Sequence, residues 1–145
     1  MAQTRTVVHL VRHGEVDNPA GLTALALADD TAYAQLDRVA GQLRAQVHAA
    51  LTAAGVAHVI QASGNLFSVF FVVEGVTAVP DYAAAARQQT GRYSAFFHAM
   101  LDAGVYLPPS AYEGWFCSTA HDDRALERIV QALPGAATAA ARASE

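Results

Sequence analysis

The sequence predicts an α+β domain: a small, mostly antiparallel sheet with helices packed on one face, plus an N-terminal strand. Three observations carry this. Short β-branched and aromatic runs are punctuated by Gly, Pro and Asn. Longer stretches repeat apolar residues at three- and four-residue spacing. The two patterns alternate as strand, helix, hairpin, helix, strand, strand, helix, the signature of a single sheet with helices laid on it.

Taken in order, Thr6 to Val11 is a β-branched apolar run that reads as a buried strand, and Asp17-Asn18-Pro19 closes it as a turn. Gly21 to Ala28 is apolar without polar relief and reads as the end of a buried helix. Asp29-Asp30-Thr31 supplies an N-terminal cap for an amphipathic helix bearing Leu36, Val39, Leu43, Val47 and Leu51, stopped at Gly55. Val56 to Ala62 and Leu66 to Val73 read as strands joined by a hairpin turn at Ser63-Gly64-Asn65. The second run is apolar almost throughout, which predicts cover on both faces.

Val79-Pro80-Asp81 opens a helical region, with Pro80 or Asp81 near its start, and Thr90-Gly91 breaks or re-caps it. Tyr93, Phe96, Phe97, Met100 and Leu101 then make an apolar face that ends at Gly104. Val105 to Leu107 and Trp115 to Ser118 read as short strands, separated by Pro108-Pro109 and a loop from Ser110 to Gly114. A last helix starts at Asp122-Asp123, carries Leu126, Ile129, Val130 and Leu133 on one face, and stops at Pro134-Gly135 before an alanine-rich tail.

Composition narrows the function. With 145 residues, 53% of them hydrophobic, the chain has the length of one domain with a real core. A net charge of −4 without a basic run argues against nucleic-acid binding. Cys117 is the single cysteine, so no internal disulfide forms and a reducing, cytoplasmic setting is expected. No apolar stretch reaches the length of a membrane span. All nine basic residues other than histidine are arginine. Without lysine, no Schiff base forms on a side chain of these residues.

Two motifs point to chemistry. "VVHLVRHGEVDN", within residues 5–18, resembles the opening strand and catalytic turn of the histidine phosphatase superfamily, which includes the phosphoglycerate mutases. That resemblance implies His13 as the phosphorylated nucleophile and Arg12 as a ligand of phosphoryl oxygens, with Gly14 giving room to the backbone. A neutral imidazole attacking phosphorus beside guanidinium groups is sound chemistry. The superfamily's second histidine finds a candidate in His121, but Asp122 stands where a glycine is usual. Read from the residues alone, His121 is a neighbour of a helix cap, and Arg12-His13 the end of a strand.

From residue 19 onward the chain resembles another family. "YSAFFHAMLDAG" followed by "GVYLPPSAYEGWFCSTAHDD" is similar to the C-terminal region of glutamate-1-semialdehyde 2,1-aminomutase. "SGNLFSVFFV" and the first amphipathic helix precede it in the expected order, and "NPAGLTAL" resembles the last helix of that family's large domain. The resemblance implies a domain join at Asn18-Pro19: a phosphatase-like leader over 1–18 and an aminomutase small domain over 19–145.

That family is pyridoxal-phosphate-dependent, of fold type I, and related to the class III aminotransferases. It moves an amino group within glutamate-1-semialdehyde to form 5-aminolevulinate, the tetrapyrrole precursor. Its cofactor sits in a large domain on a lysine aldimine. The resemblance therefore implies no pyridoxal phosphate in this chain alone, no turnover as an isolated chain, and a large domain to be supplied from elsewhere. The family's "PSAFEA" segment carries a glutamate near the substrate. "PSAYEG" places Glu113 there, with Gly114 for the usual alanine. Glu113 would order the pocket; without the resemblance it is a loop carboxylate, and Ser110 a turn or cap residue.

Two alternatives stand beside the aminomutase reading: phosphoryl transfer through Arg12 and His13, and a non-catalytic, self-associating module whose exposed apolar surface makes a homo-oligomer. His98, with Tyr93, Phe96 and Phe97 around it, reads as a core or packing residue. His9, His48 and His58 lack metal-ligand spacing, and Cys117 reads as a small buried hydrophobe.

Overall fold

A computed structural model of the chain describes residues 30–143. The strand expected at 6–11, the turn at 17–19, the apolar stretch at 21–28, the join at 18/19, Arg12, His13 and His9 lie outside the described residues. Packing divides the chain after Gln35. The described part of the first unit is residues 30–35, the opening turns of α1; the second unit holds every other described residue.

The described residues form an α+β fold in the order α1 (Asp30–Ala53), β1 (His58–Ser63), β2 (Leu66–Phe71), α2 (Tyr82–Ala85), α3 (Thr90–Asp102) and α4 (Asp123–Arg142). The sheet has two antiparallel strands, with Val59 opposite Phe70 and Ile60 opposite Val69. An isolated hairpin of this size is marginal in water, so its stability comes from what covers it.

The main cover lies on one face. Phe67, Val69 and Phe71 of β2 join Val39, Leu43, Val47 and Leu51 of α1, Phe96 and Met100 of α3, and Leu126 and Leu133 of α4 in one core. The expected α1 stripe is therefore observed, although Leu36 is only half-buried. Ile129 and Val130 of α4 are also half-buried, and Leu101 is exposed at the edge of the α3 face. The other side of the sheet is covered more thinly. Val59, Val72 and Val79 form a second small cluster with Phe70, Ala84 and Ala85. Ser68 and Phe70 stay half-buried and Leu66 is exposed, so β2 is not covered on both faces as its composition suggests.

The hairpin turn is two residues, Gly64 and Asn65, with the strands two residues shorter at their outer ends than the apolar runs. Within it, positive φ is confined to Gly64, at +60°, the first turn position, as a II′ turn requires. α1 and α3 end in one motif. Val56 N–H donates to the Leu51 carbonyl and Gly55 N–H to Thr52; Val105 donates to Met100 and Gly104 to Leu101. This is the Schellman closure, in which the buried residue after the glycine seals the helix end.

Val105 to Leu107 is consequently not a strand. Val105 and Leu107 are buried and Tyr106 exposed, an alternation satisfied by core packing with no ladder partner among the described residues. Trp115 to Ser118 is also not a strand: Trp115 alone makes a single antiparallel bridge to Phe67, on the open edge of β2.

Pro80 precedes the cap: the Asp81 carboxylate accepts from Ala84 N–H at 2.7 Å, starting α2. Asp122 caps α4 in the same way, accepting from Ala125 N–H at 2.8 Å. The expected stop at Pro134-Gly135 is overturned, because α4 runs through Pro134 to Arg142. Pro134 removes one helical N–H. Against that loss, Ala136, Ala137 and Ala140 are at most 1% exposed, in a helix that packs along α3. The small alanine face lets the two helices approach, and alanine has the highest helix propensity. Arg92 of α3 then donates to the Ala140 and Ala141 carbonyls at 3.1 and 3.5 Å, satisfying the last turn.

Candidate functional site

The candidate site is the loop from Pro108 to Trp115, which carries Glu113. Two prolines and a serine forbid regular structure there, so its shape is set by bonds to its neighbours. The Ser110 hydroxyl accepts from Tyr112 N–H at 3.2 Å, and the Ser110 carbonyl from Glu113 N–H at 3.1 Å. Ser110 is thus a turn residue, as its sequence context suggests.

Three clamps hold this turn to the domain. The Tyr93 hydroxyl donates to the Pro108 carbonyl. The Gln88 amide, on a buried side chain, donates to the Ala111 carbonyl at 3.3 Å. Trp115 N–H donates to the Phe67 carbonyl at 2.6 Å, while Phe67 N–H returns a long bond of 3.5 Å. The Trp115 ring, 5% exposed, packs 5.2 Å from Phe67 and 6.5 Å from Phe96, between centroids. The loop is therefore anchored at both ends and once in the middle.

Glu113 stands half-buried on this frame, near Tyr93. Burial first, and the Glu113 carboxylate second, push the Tyr93 hydroxyl from its ordinary 10 up to about 12. Both causes oppose a phenolate, so the phenol stays a donor to Pro108. Tyr112 is exposed, and its ring centroid stands 6.1 Å from that of the exposed Tyr82. A methyl at Gly114 would meet Phe116, Phe67 and Ser68 atoms at 3.7–3.8 Å, ordinary contact distances. Alanine therefore fits there without disturbing the loop.

The sequence contains no lysine to take a carbonyl cofactor as an aldimine.

His121 lies just before the α4 cap, with Nδ1 at 3.1 Å from Ser118 N–H and 3.0 Å from its hydroxyl. That is the cap-neighbour role. Cys117 is half-buried rather than buried. Desolvation pushes its thiol up, against a smaller lowering by Arg44, so the reactive thiolate is disfavoured. His98 is exposed on α3, with its ring against the Phe97 edge, so it is not a core residue, whereas Tyr93, Phe96 and Phe97 are.

The fold brings together one pair that spacing concealed. His48 Nδ1 and His58 Nε2 are 2.8 Å apart, and the two ring centroids are 5.0 Å apart in an edge-to-face arrangement. α1 lies over the core face of the hairpin, and His58 pairs across the strands with the core residue Phe71, sharing its face. A ten-residue separation becomes a contact only through the α1–β1 turn.

Among the described residues no group of three or more His, Cys, Asp or Glu is arranged around a metal position, and no helix is long and apolar enough to cross a membrane. No family model matches the chain. Fold and site together define a small α+β domain that presents a clamped carboxylate loop.

Proposed function

We propose that residues 19–145 are the small domain of a glutamate-1-semialdehyde aminomutase-type enzyme, and that the chain acts by presenting the Glu113 loop to a lysine-bearing cofactor domain. One observation carries this reading. The "PSAYEG" segment is a shaped loop, clamped through Tyr93, Gln88 and Phe67, rather than a solvated connection. The exposed rings of Tyr82 and Tyr112 beside it suit burial against another domain. In this reading the amino-transfer chemistry falls to the partner domain, in keeping with a sequence that has no lysine.

The test is a graft. Residues 19–145 replace the C-terminal domain of a functional aminomutase, and the hybrid is assayed for 5-aminolevulinate from glutamate-1-semialdehyde. The chain alone is expected to give none, and the hybrid to turn over. A folded, cofactor-loaded hybrid without turnover contradicts the proposal.

A second reading, a self-associating module, is favoured by the exposure of Tyr82, Tyr106, Tyr112 and Phe116. It requires concentration-dependent mass in sedimentation; a clean monomer at high concentration removes it.

A further inference from the structure

We propose that His48 and His58 form a binding site for a divalent transition-metal ion of the zinc or copper class. Tautomers decide which nitrogens are free to bind. His58 Nδ1 is 2.7 Å from the Val56 carbonyl, which only accepts, so this nitrogen carries the proton. In the neutral ring, Nε2 then bears a lone pair directed away from the backbone, and His48 Nδ1 at 2.8 Å donates to it. A carbonyl bond to the far nitrogen is the arrangement that orients histidine ligands in metal sites. Here it is built into the α1–β1 turn.

The distances also suit a shared ion. Metal–nitrogen bonds of about 2.0–2.1 Å at a tetrahedral angle place two ligand nitrogens about 3.3 Å apart. The pair must open by about 0.5 Å, and His48 Nδ1 must also swing off its present line to the His58 lone pair, because an ion shared at a tetrahedral angle sits off that line. A tautomer change at His48 then frees its Nδ1 lone pair. His48 is exposed near the end of α1 and makes this adjustment by side-chain rotation, while His58 stays locked to Val56. Imidazole nitrogen selects zinc, copper and nickel over calcium or magnesium.

Two protein ligands leave positions open for a third group. The described residues lining the surrounding groove include Arg44 and Thr77 and no carboxylate. Arg44 stands one helical turn before His48, and its charge opposes a bare dication while favouring an anionic ligand that completes the coordination. The site therefore takes the ion together with a small anion or a carboxylate from a partner.

The experiment titrates Zn²⁺ into the full chain by calorimetry, with Cu²⁺ electron paramagnetic resonance as a second readout. His48→Ala and His58→Ala are compared with His98→Ala, which removes an exposed histidine outside the pair. Expected are saturable Zn²⁺ binding, a loss of at least ~tenfold in affinity in each pair variant, no change in His98→Ala, and a copper spectrum with two imidazole nitrogens. Far-UV circular dichroism confirms that the variants are folded. Should either pair variant unfold, the nitrogen count in the wild-type copper spectrum decides alone. Zinc binding that is indifferent to both pair substitutions, a copper spectrum lacking two imidazoles, or no saturable binding would overturn the proposal.

Discussion

Trp115→Ala tests whether the Glu113 loop is docked through its indole. The ring is buried and touches Phe67 and Phe96, whereas the two backbone bonds between residues 67 and 115 survive any side-chain change. The loss is therefore assigned to the ring alone. Deleting a buried aromatic forfeits its transfer free energy and leaves a partly collapsed cavity, together roughly 3–5 kcal/mol. For a domain of this length that is a fall in Tm of roughly 10–20 °C. Phe116→Ala is the control, since Phe116 is 48% exposed and its truncation costs under ~1 kcal/mol. Urea unfolding followed by far-UV circular dichroism reads both variants without relying on the single tryptophan. A Trp115→Ala cost no larger than that of Phe116→Ala would refute the docking.

Packing dictates three further outcomes. Pro134→Ala restores a helical N–H within α4 and is expected to stabilise the protein by about 1–3 kcal/mol in the same assay. Gly104→Ala places a side chain at φ +80° with its Cβ 2.6 Å from Arg128 Nη2; the backbone share, about 1–2 kcal/mol, persists in an Arg128→Ala background because the mobile guanidinium is not its source. The raised Tyr93 hydroxyl makes the folded state hold a proton that the unfolded state releases. Its contribution is complete below pH 10 and is lost as pH rises toward about 12, so urea midpoints fall over that interval, less steeply in Tyr93→Phe.

Much of the fold is legible because local signals and burial agree. The α1 stripe, its Gly55 stop, the Gly64-Asn65 turn and the Asp81 and Asp122 caps are each decided within a few residues, where short-range sterics dominate. The errors arise where tertiary packing outweighs a local signal. Pro134 reads as a terminator, but a buried alanine face carries α4 past it. Val105 to Leu107 alternates like a strand, yet the same alternation serves a Schellman seal and the core beneath it.

The site divides in the same way. Ser110 and His121 keep the local roles that their neighbours suggest, because turns and caps are made from adjacent residues. The clamps on the Glu113 loop come from farther away. Gln88 and Tyr93 stand 23 and 15 residues before the carbonyls they hold, and Phe67 belongs to β2. No periodicity announces such contacts. The His48–His58 pair is invisible for the same reason: it depends on the reversal of the chain between α1 and β1.

If Glu113 serves a substrate pocket completed by another domain, its carboxylate must matter once that domain is present. The decisive measurement is 5-aminolevulinate formation by the grafted hybrid with Glu113 or with Glu113→Gln, both shown to be folded and cofactor-loaded. Turnover is expected with glutamate and a marked loss with glutamine. Equal turnover in the two hybrids would contradict the assignment of Glu113 to the pocket.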